Sequence, residues 1–292
     1  MDREAVRAQL GRIGVWSSTL GRLGADDERE AVAEIERLGY RMLWLTETVK
    51  EAFAHASLAL AASRHLVVGT GIASIWSRLP SAMASGTQVL ADAYPGRFAL
   101  GIGVSHASYV RGYERPLSAM RDYLDGMDAV TYNAPDPQPP APRLLAALRP
   151  KMLELAATRA DGAVPYLGTV EHAAFAREVM GAGPVLAPEL AVVLDPDPTT
   201  ARTAARGHLR IYLDLPNYTN NLRALGFDDT DLADGGSDRL VDAIVAWGDV
   251  DAIAERVHAH FDAGADHVAI QPISADGGVG IDTLAKLAPV LS

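Results

Sequence analysis

The strongest constraint on this chain is a repeated pattern in which short, unbroken apolar runs alternate with segments of helical spacing. Residues 11–16 (GRIGVW), 42–45 (MLWL), 66–72 (LVVGTGI) and 98–102 (FALGI) are the first four runs. A half-exposed strand alternates apolar with polar residues. An unbroken run suits a strand buried on both faces, as in a parallel sheet covered by helices. These runs follow one another at roughly 25–30 residues, the length of a βα unit. Between them, Val32, Ile35 and Leu38 share one helical face, with Asp26 or Asp27 as the expected cap and Gly39 at the C′ position. Residues 52–63 are rich in Ala and Leu, and Pro80 suits the first turn of a helix reaching Tyr94.

The second half keeps the pattern. Strands are expected at 143–147, 163–167, 189–194 and 267–270, and helices at 117–130, 150–160, 171–180, 199–213 and 250–263, before a terminal helix. Residues 133–142 (NAPDPQPPAP) read as a Pro-rich loop, and 217–238 as a polar excursion with room for one or two short helices. Eight strands alternating with helices, and no linker, predict an α/β chain. It would form a single (β/α)8 TIM barrel over residues 1–292, with an insertion in the C-terminal half, rather than a doubly wound sheet.

A formal net charge of −11, with no dense Lys/Arg block, argues against nucleic acid as a partner. The absence of cysteine excludes disulfides, thiolate metal sites and a Cys nucleophile, and agrees with a cytoplasmic location. No signal peptide and no run of about 18 apolar residues is visible, so no membrane association is expected. His258 and His260 stand two apart on a helix and do not face one ligand, so with His267 they are not expected to hold a metal.

Barrels of this kind build their sites from the loops after the strands. Those loops would gather Trp16, Ser17 and Ser18 with Thr46, Glu47 and Thr48. They would add residues 71–76 (Gly71, Ile72, Ala73, Ser74, Ile75, Trp76) and the segment 95–109, PGRFALGIGVSHASY. In that segment Gly101 and Gly103 allow close approach, and Ser105, His106 and Tyr109 follow the strand end. The turn Arg149-Pro150-Lys151-Met152 sets a helix N-terminus beside two cations. With the aromatics it suits a flat, phosphate-bearing ligand. Glu47 is the carboxylate candidate for catalysis. Residues 103–107 (GVSHA) also resemble a degraded nucleophile elbow, for which Asp249 or Asp262 and His267 could nominally complete a triad.

The runs GRIGVW, YRMLWLTE, LVVGTGIASIW and PGRFALGIGVSHA, followed by LRPKMLELAATRADGAVPYL, resemble the bacterial-luciferase-like monooxygenase superfamily. Within it they are most similar to the coenzyme F420-dependent oxidoreductases of actinobacteria. The resemblance spans essentially the whole chain. It implies a barrel, commonly a homodimer, that holds a deazaflavin (F420) or FMN at the C-terminal face and acts on a small-molecule substrate. Cofactor contacts are then expected from Trp16, Thr46, Thr48, Gly71, Ile72, Ala73, Ser74, Gly103 and Ser105, with phosphate contacts from Arg149, Pro150, Lys151 and Met152. A non-proline cis peptide is implied at Gly71-Ile72. Where related turns carry glycine, this chain has Leu148 and Arg149.

Deazaflavin-dependent alcohol and sugar-phosphate dehydrogenases of this family place an acid and then a catalytic His after strand two, and here those positions match Glu47 and Thr48. Threonine is no general base near neutral pH, which disfavours alcohol oxidation. His106 matches the position of a Glu acid after strand four. The resemblance therefore implies reduction of an enone, imine or similar acceptor, with His106 donating the proton and Glu47 orienting it or the cofactor. Two alternatives stand beside this: an FMN-dependent monooxygenase fed by a separate reductase, and a non-catalytic cofactor-binding protein.

Overall fold

The computed structural model describes residues 2–274 and 277–291. The strands among them are β1 (Ile13–Ser17), β2 (Met42–Leu45), β3 (Val67–Thr70), β4 (Ala73–Ser74), β5 (Phe98–Gly103) and β6 (Arg143–Leu145). They continue with β7 (Gly162–Ala163), β8 (Val185–Leu186), β9 (Glu189–Val193), β10 (Ala246–Trp247) and β11 (Val268–Pro272). All their pairings are parallel. From β11 the order runs β1-β2-β3-β5-β6-β7-β8, with β4 added beside β5.

The ring closes through one stretch of backbone. Ala187 N–H donates to Ala163 O and Glu189 N–H to Pro165 O on one edge, while Ala269 N–H donates to Pro188 O on the other. β8 and β9 are therefore two parts of one barrel position, and the fold is the expected (β/α)8 barrel. The strand β10, contributed by the C-terminal insertion, takes the edge of β9 that β11 leaves free.

Alternate side chains face inward and outward, and both sides are dry. Leu43, Val68, Leu100 and Ile270 pack outward against the helices, while Met42, Trp44, Ala99, Leu144 and Ala269 fill the barrel. This two-sided burial explains the unbroken apolar runs. Each fully buried Leu or Ile contributes roughly 1.5–3 kcal/mol. Close packing also explains two glycines: a Cβ on Gly101 would lie 2.0 Å from Thr70 O, and one on Gly103 would lie 2.7 Å from Ile72.

Several local features depart from the sequence expectation. Helix Arg3–Leu10 places Val6 and Leu10 in the interior cluster, so it plugs the bottom of the barrel. Arg7 anchors it to Asp266 at 2.7 Å. Gly24, not Asp26 or Asp27, caps helix Ala25–Arg37, and both aspartates sit in its first turn, where the helix dipole favours them. Regular pairing of the sixth barrel strand stops at Ala163; beyond it Leu167 takes a φ of 60°. The seventh begins at Val185, ahead of Pro188, and helix Asp238–Ile244 with β10 extends the insertion. No helix among the described residues is long and apolar enough to cross a membrane.

Candidate functional site

A cavity of about 730 Å³ opens at the C-terminal ends of the strands, roofed partly by helix Pro198–Leu213 and the inserted helix Pro216–Ala224. Its floor is aromatic. Trp16, at the end of β1, lies 6.1 Å from Trp44 between ring centroids and 5.3 Å from Tyr166. The Gly71-Ile72 peptide on the same wall is cis, as the sequence resemblance implied. A Cβ at Gly71 would stand 2.6 Å from the Trp16 ring, so only glycine lets the backbone rest on that indole.

Of the residues singled out from sequence, Trp16, Thr46, Glu47, Thr48, Gly71, Ile72, Ser105, His106, Arg149, Lys151 and Met152 all line this cavity. Four others stand behind the wall. Ala73 is fully buried in β4, Ser74 pairs with Gly103 across β4 and β5, and Pro150 is the first residue of helix Pro150–Arg159. Ser17 is structural as well: its hydroxyl accepts from Leu20 N–H at 3.1 Å.

The Glu47 carboxylate is already engaged. It pairs with Arg78, whose side chain is 9% exposed against 12% for Glu47, and it accepts from Ser74 N–H at 2.8 Å. Glu47 thus ties the loop after β2 to the segment carrying the cis peptide. Thr48 turns to the Thr46 hydroxyl at 3.2 Å.

His106 is different. It is half-buried, and that burial alone lowers its pKa below the ordinary histidine value. Its ring meets Tyr218 at 5.1 Å and stands edge-on to Tyr109 at 5.9 Å. Ser105 before it has a φ of 55°, the left-handed turn that aims this pair into the cavity.

On the side of β6, helix Pro150–Arg159 begins at the cavity with no side-chain cap at its N-terminus, flanked by Arg149 and Lys151. Arg149 donates to Asn220 O at 2.9 Å, joining this turn to the inserted helix. His172 Nε2–H donates to Leu148 O at 2.9 Å, and burial lowers the pKa of this imidazole. It fixes the turn that carries Leu148 where related turns carry glycine.

Sequence reasoning missed a hydrogen-bonded belt around the mouth. Tyr212 and Tyr166 share a hydroxyl contact at 2.9 Å, Tyr166 donates to Gln271 Oε1 at 3.0 Å, and Gln271 Nε2 donates to Ser18 at 3.3 Å. Below it, Glu189 accepts from Leu167 N–H at 3.1 Å, and its other oxygen has no partner among the described residues. Burial pushes this carboxyl up to about 8. Tyr218 is 7% exposed, and Asn221 is buried too, so helix Pro216–Ala224 is a wall of the site and not a polar surface helix. Within that helix Tyr218 and Leu222 stand four apart on one buried face, and that spacing was the available signal.

The nucleophile-elbow alternative fails on geometry. His267 lies inside the barrel, where its Nε2 accepts from Trp44 at 3.1 Å and its Nδ1 reaches Gly11 O at 2.8 Å, leaving nothing for Ser105. Asp249 caps helix Val250–Asp262. No group of three or more metal-ligating side chains exists among the described residues.

Fold and cavity together define a parallel (β/α)8-barrel protein with an aromatic-floored ligand site at the C-terminal mouth. The luciferase-like monooxygenase family model matches residues 9–267, and the chain belongs to that family. Among solved structures, an F420-dependent secondary alcohol dehydrogenase in complex with an F420-acetone adduct is 17% identical, with a TM-score of 0.76 over 96% of this chain and 99% of that one. The coenzyme F420-dependent tetrahydromethanopterin reductase of Methanopyrus kandleri is 15% identical, with a TM-score of 0.69 over 94% and 96%. The oxygenating constituent of 3,6-diketocamphane monooxygenase from Pseudomonas putida, in complex with FMN, is also 15% identical, with a TM-score of 0.70 over 96% and 98%. At these identities the likeness concerns the fold. No curated protein matches the chain in sequence.

Proposed function

We propose that this chain is an F420-dependent oxidoreductase that reduces an enone, imine or similar acceptor, with His106 as the proton donor. The observation that carries this is an imidazole on the cavity wall with no hydrogen-bonding partner among the described residues. The residues present fit a flat, phosphate-bearing cofactor. Trp16 and Ile72 offer an apolar floor, and the uncapped helix start with Arg149 and Lys151 offers N–H groups and positive charge to a phosphate.

A reduced deazaflavin held by these residues would supply the hydride, for which the β-carbon of an enone is the acceptor. The electron pair of the C=C bond then moves onto the carbonyl oxygen, the His106 imidazolium gives its proton to that oxygen, and the resulting enol tautomerises in water to the saturated ketone, so two electrons and two hydrogens are added. His106 is left neutral and regains a proton from water. Glu47 acts as a positioning residue in this scheme: through Ser74 N–H and Arg78 it holds the segment that carries the Gly71-Ile72 cis peptide, and its carboxylate is engaged by those two partners.

Anaerobic mixing of reduced F420 with an enone tests the reaction. Wild type is expected to reoxidise the cofactor, and His106→Ala to bind it but turn over at least about a hundredfold more slowly. Equal turnover would remove His106 from the mechanism. An FMN-dependent monooxygenase fed by a separate reductase is the second reading, supported by the same phosphate turn, and it would consume oxygen.

A further inference from the structure

Two polar groups on the cavity wall stand side by side with nothing to bond to. His106 and Tyr218 lie 5.1 Å apart at 42°, and neither imidazole nor hydroxyl has a hydrogen-bond partner among the described residues. Their neighbours differ: the Tyr166 and Tyr212 hydroxyls are bound to each other, and Tyr166 also to Gln271. The Tyr218 ring is buried, and its unpaired hydroxyl opens onto the cavity rather than into the protein, so it is placed to donate to an acceptor atom from outside.

The surroundings narrow what brings that atom. Leu117, Ile211 and Leu215 line this part of the cavity, and Tyr109 and Tyr113 add ring faces. Only Glu47, Arg149 and Lys151 among the lining residues carry a formal charge at neutral pH. Arg78 neutralises Glu47, and the two cations fall to the cofactor phosphate on the reading proposed above, on which this inference rests. While His106 is neutral, no further charge then remains for the substrate among the described lining residues. The Tyr218 hydroxyl stays protonated across the physiological range because burial raises its pKa.

We infer that His106 and Tyr218 together grip the carbonyl oxygen of an uncharged, flat, largely apolar substrate, and that the chain rejects carboxylate and phosphate analogues of the same shape. Tyr218 belongs to the inserted helix Pro216–Ala224, so the insertion supplies specificity and the barrel supplies the cofactor site.

Benzylideneacetone and cinnamate test this directly, since they share a shape and differ by a methyl against a charged oxygen. Calorimetric titrations would use protein saturated with oxidised F420, with (E)-1-phenylbut-1-ene as the analogue lacking the carbonyl. Benzylideneacetone is expected to bind about tenfold or more tighter than cinnamate, because an unpaired carboxylate is costly to bury. Tyr218→Phe keeps the ring and should weaken benzylideneacetone about fivefold, the worth of one neutral hydrogen bond, while leaving phenylbutene binding and F420 affinity unchanged. Cinnamate binding as tightly as the enone would overturn the inference, and so would a Tyr218→Phe variant that binds both neutral ligands as wild type does. With F420 bound, either result strikes this inference alone; failure of F420 to bind strikes the underlying functional reading.

Discussion

Replacing Arg78 with methionine would strip the Glu47 carboxylate of its counter-ion while leaving it among side chains that exclude water. Arg78 is 9% exposed and Glu47 12%, so water can screen little of the abandoned charge. Removing one partner of such a buried pair costs about 3–5 kcal/mol. The second ion pair of Arg78, with Glu51, adds little, because that carboxylate is 51% exposed. For a chain of this size about 3 kcal/mol corresponds to a melting point roughly 6–12 °C lower. Circular dichroism melts of wild type, Arg78→Met and the double variant Arg78→Met/Glu47→Gln would measure it. The double variant should recover most of the loss, because the stranded charge is gone. A melting point within about 2 °C of wild type for Arg78→Met, or a double variant no better than the single, would refute the claim that this pair fastens the segment 71–74.

Three further outcomes are expected. Burial lowers the His106 pKa, so its imidazolium is complete only at acid pH, and enone reduction should fall as pH rises through a value below 6.5; in His106→Gln that limb should vanish. Glu189 is raised from 4.5 to about 8, so its proton is kept on folding and lost on unfolding, and wild-type stability should decline between about pH 4.5 and 8. Urea titrations should find Glu189→Gln equal to wild type near pH 4.5 and increasingly more stable toward pH 8. Gly71→Ala forces a methyl to within 2.6 Å of Trp16 and should cost about 1–3 kcal/mol in urea melts and blue- or red-shift the tryptophan emission; unchanged stability and emission would show that the indole has room to move.

The parallel barrel was legible because burial on both faces leaves an unbroken mark, as in Met42–Leu45 and Phe98–Gly103. Strand ends carried the site for the same reason, which brought Trp16, Thr48, His106 and Lys151 to one cavity without any long-range information. Pairings between distant segments were not legible. Nothing local to Glu47 announces Arg78, which lies 31 residues on, and nothing near Tyr166 announces Gln271, 105 residues away. The division of the seventh barrel strand by Pro188 hides its first half, because β8 is only two residues long. Helix Pro216–Ala224 misled through composition: Asn217, Asn220 and Asn221 read as surface, yet Tyr218 and Leu222 point into the protein.

The central claim is that the cavity takes a deazaflavin, and the most direct measurement is titration of the purified protein with oxidised F420 and, separately, with FMN, followed by ligand fluorescence. Saturable binding of F420 at stoichiometric ratio, with FMN weaker by at least about tenfold (1.4 kcal/mol), is the predicted result. Saturable binding of FMN alone, or of neither ligand, would contradict it.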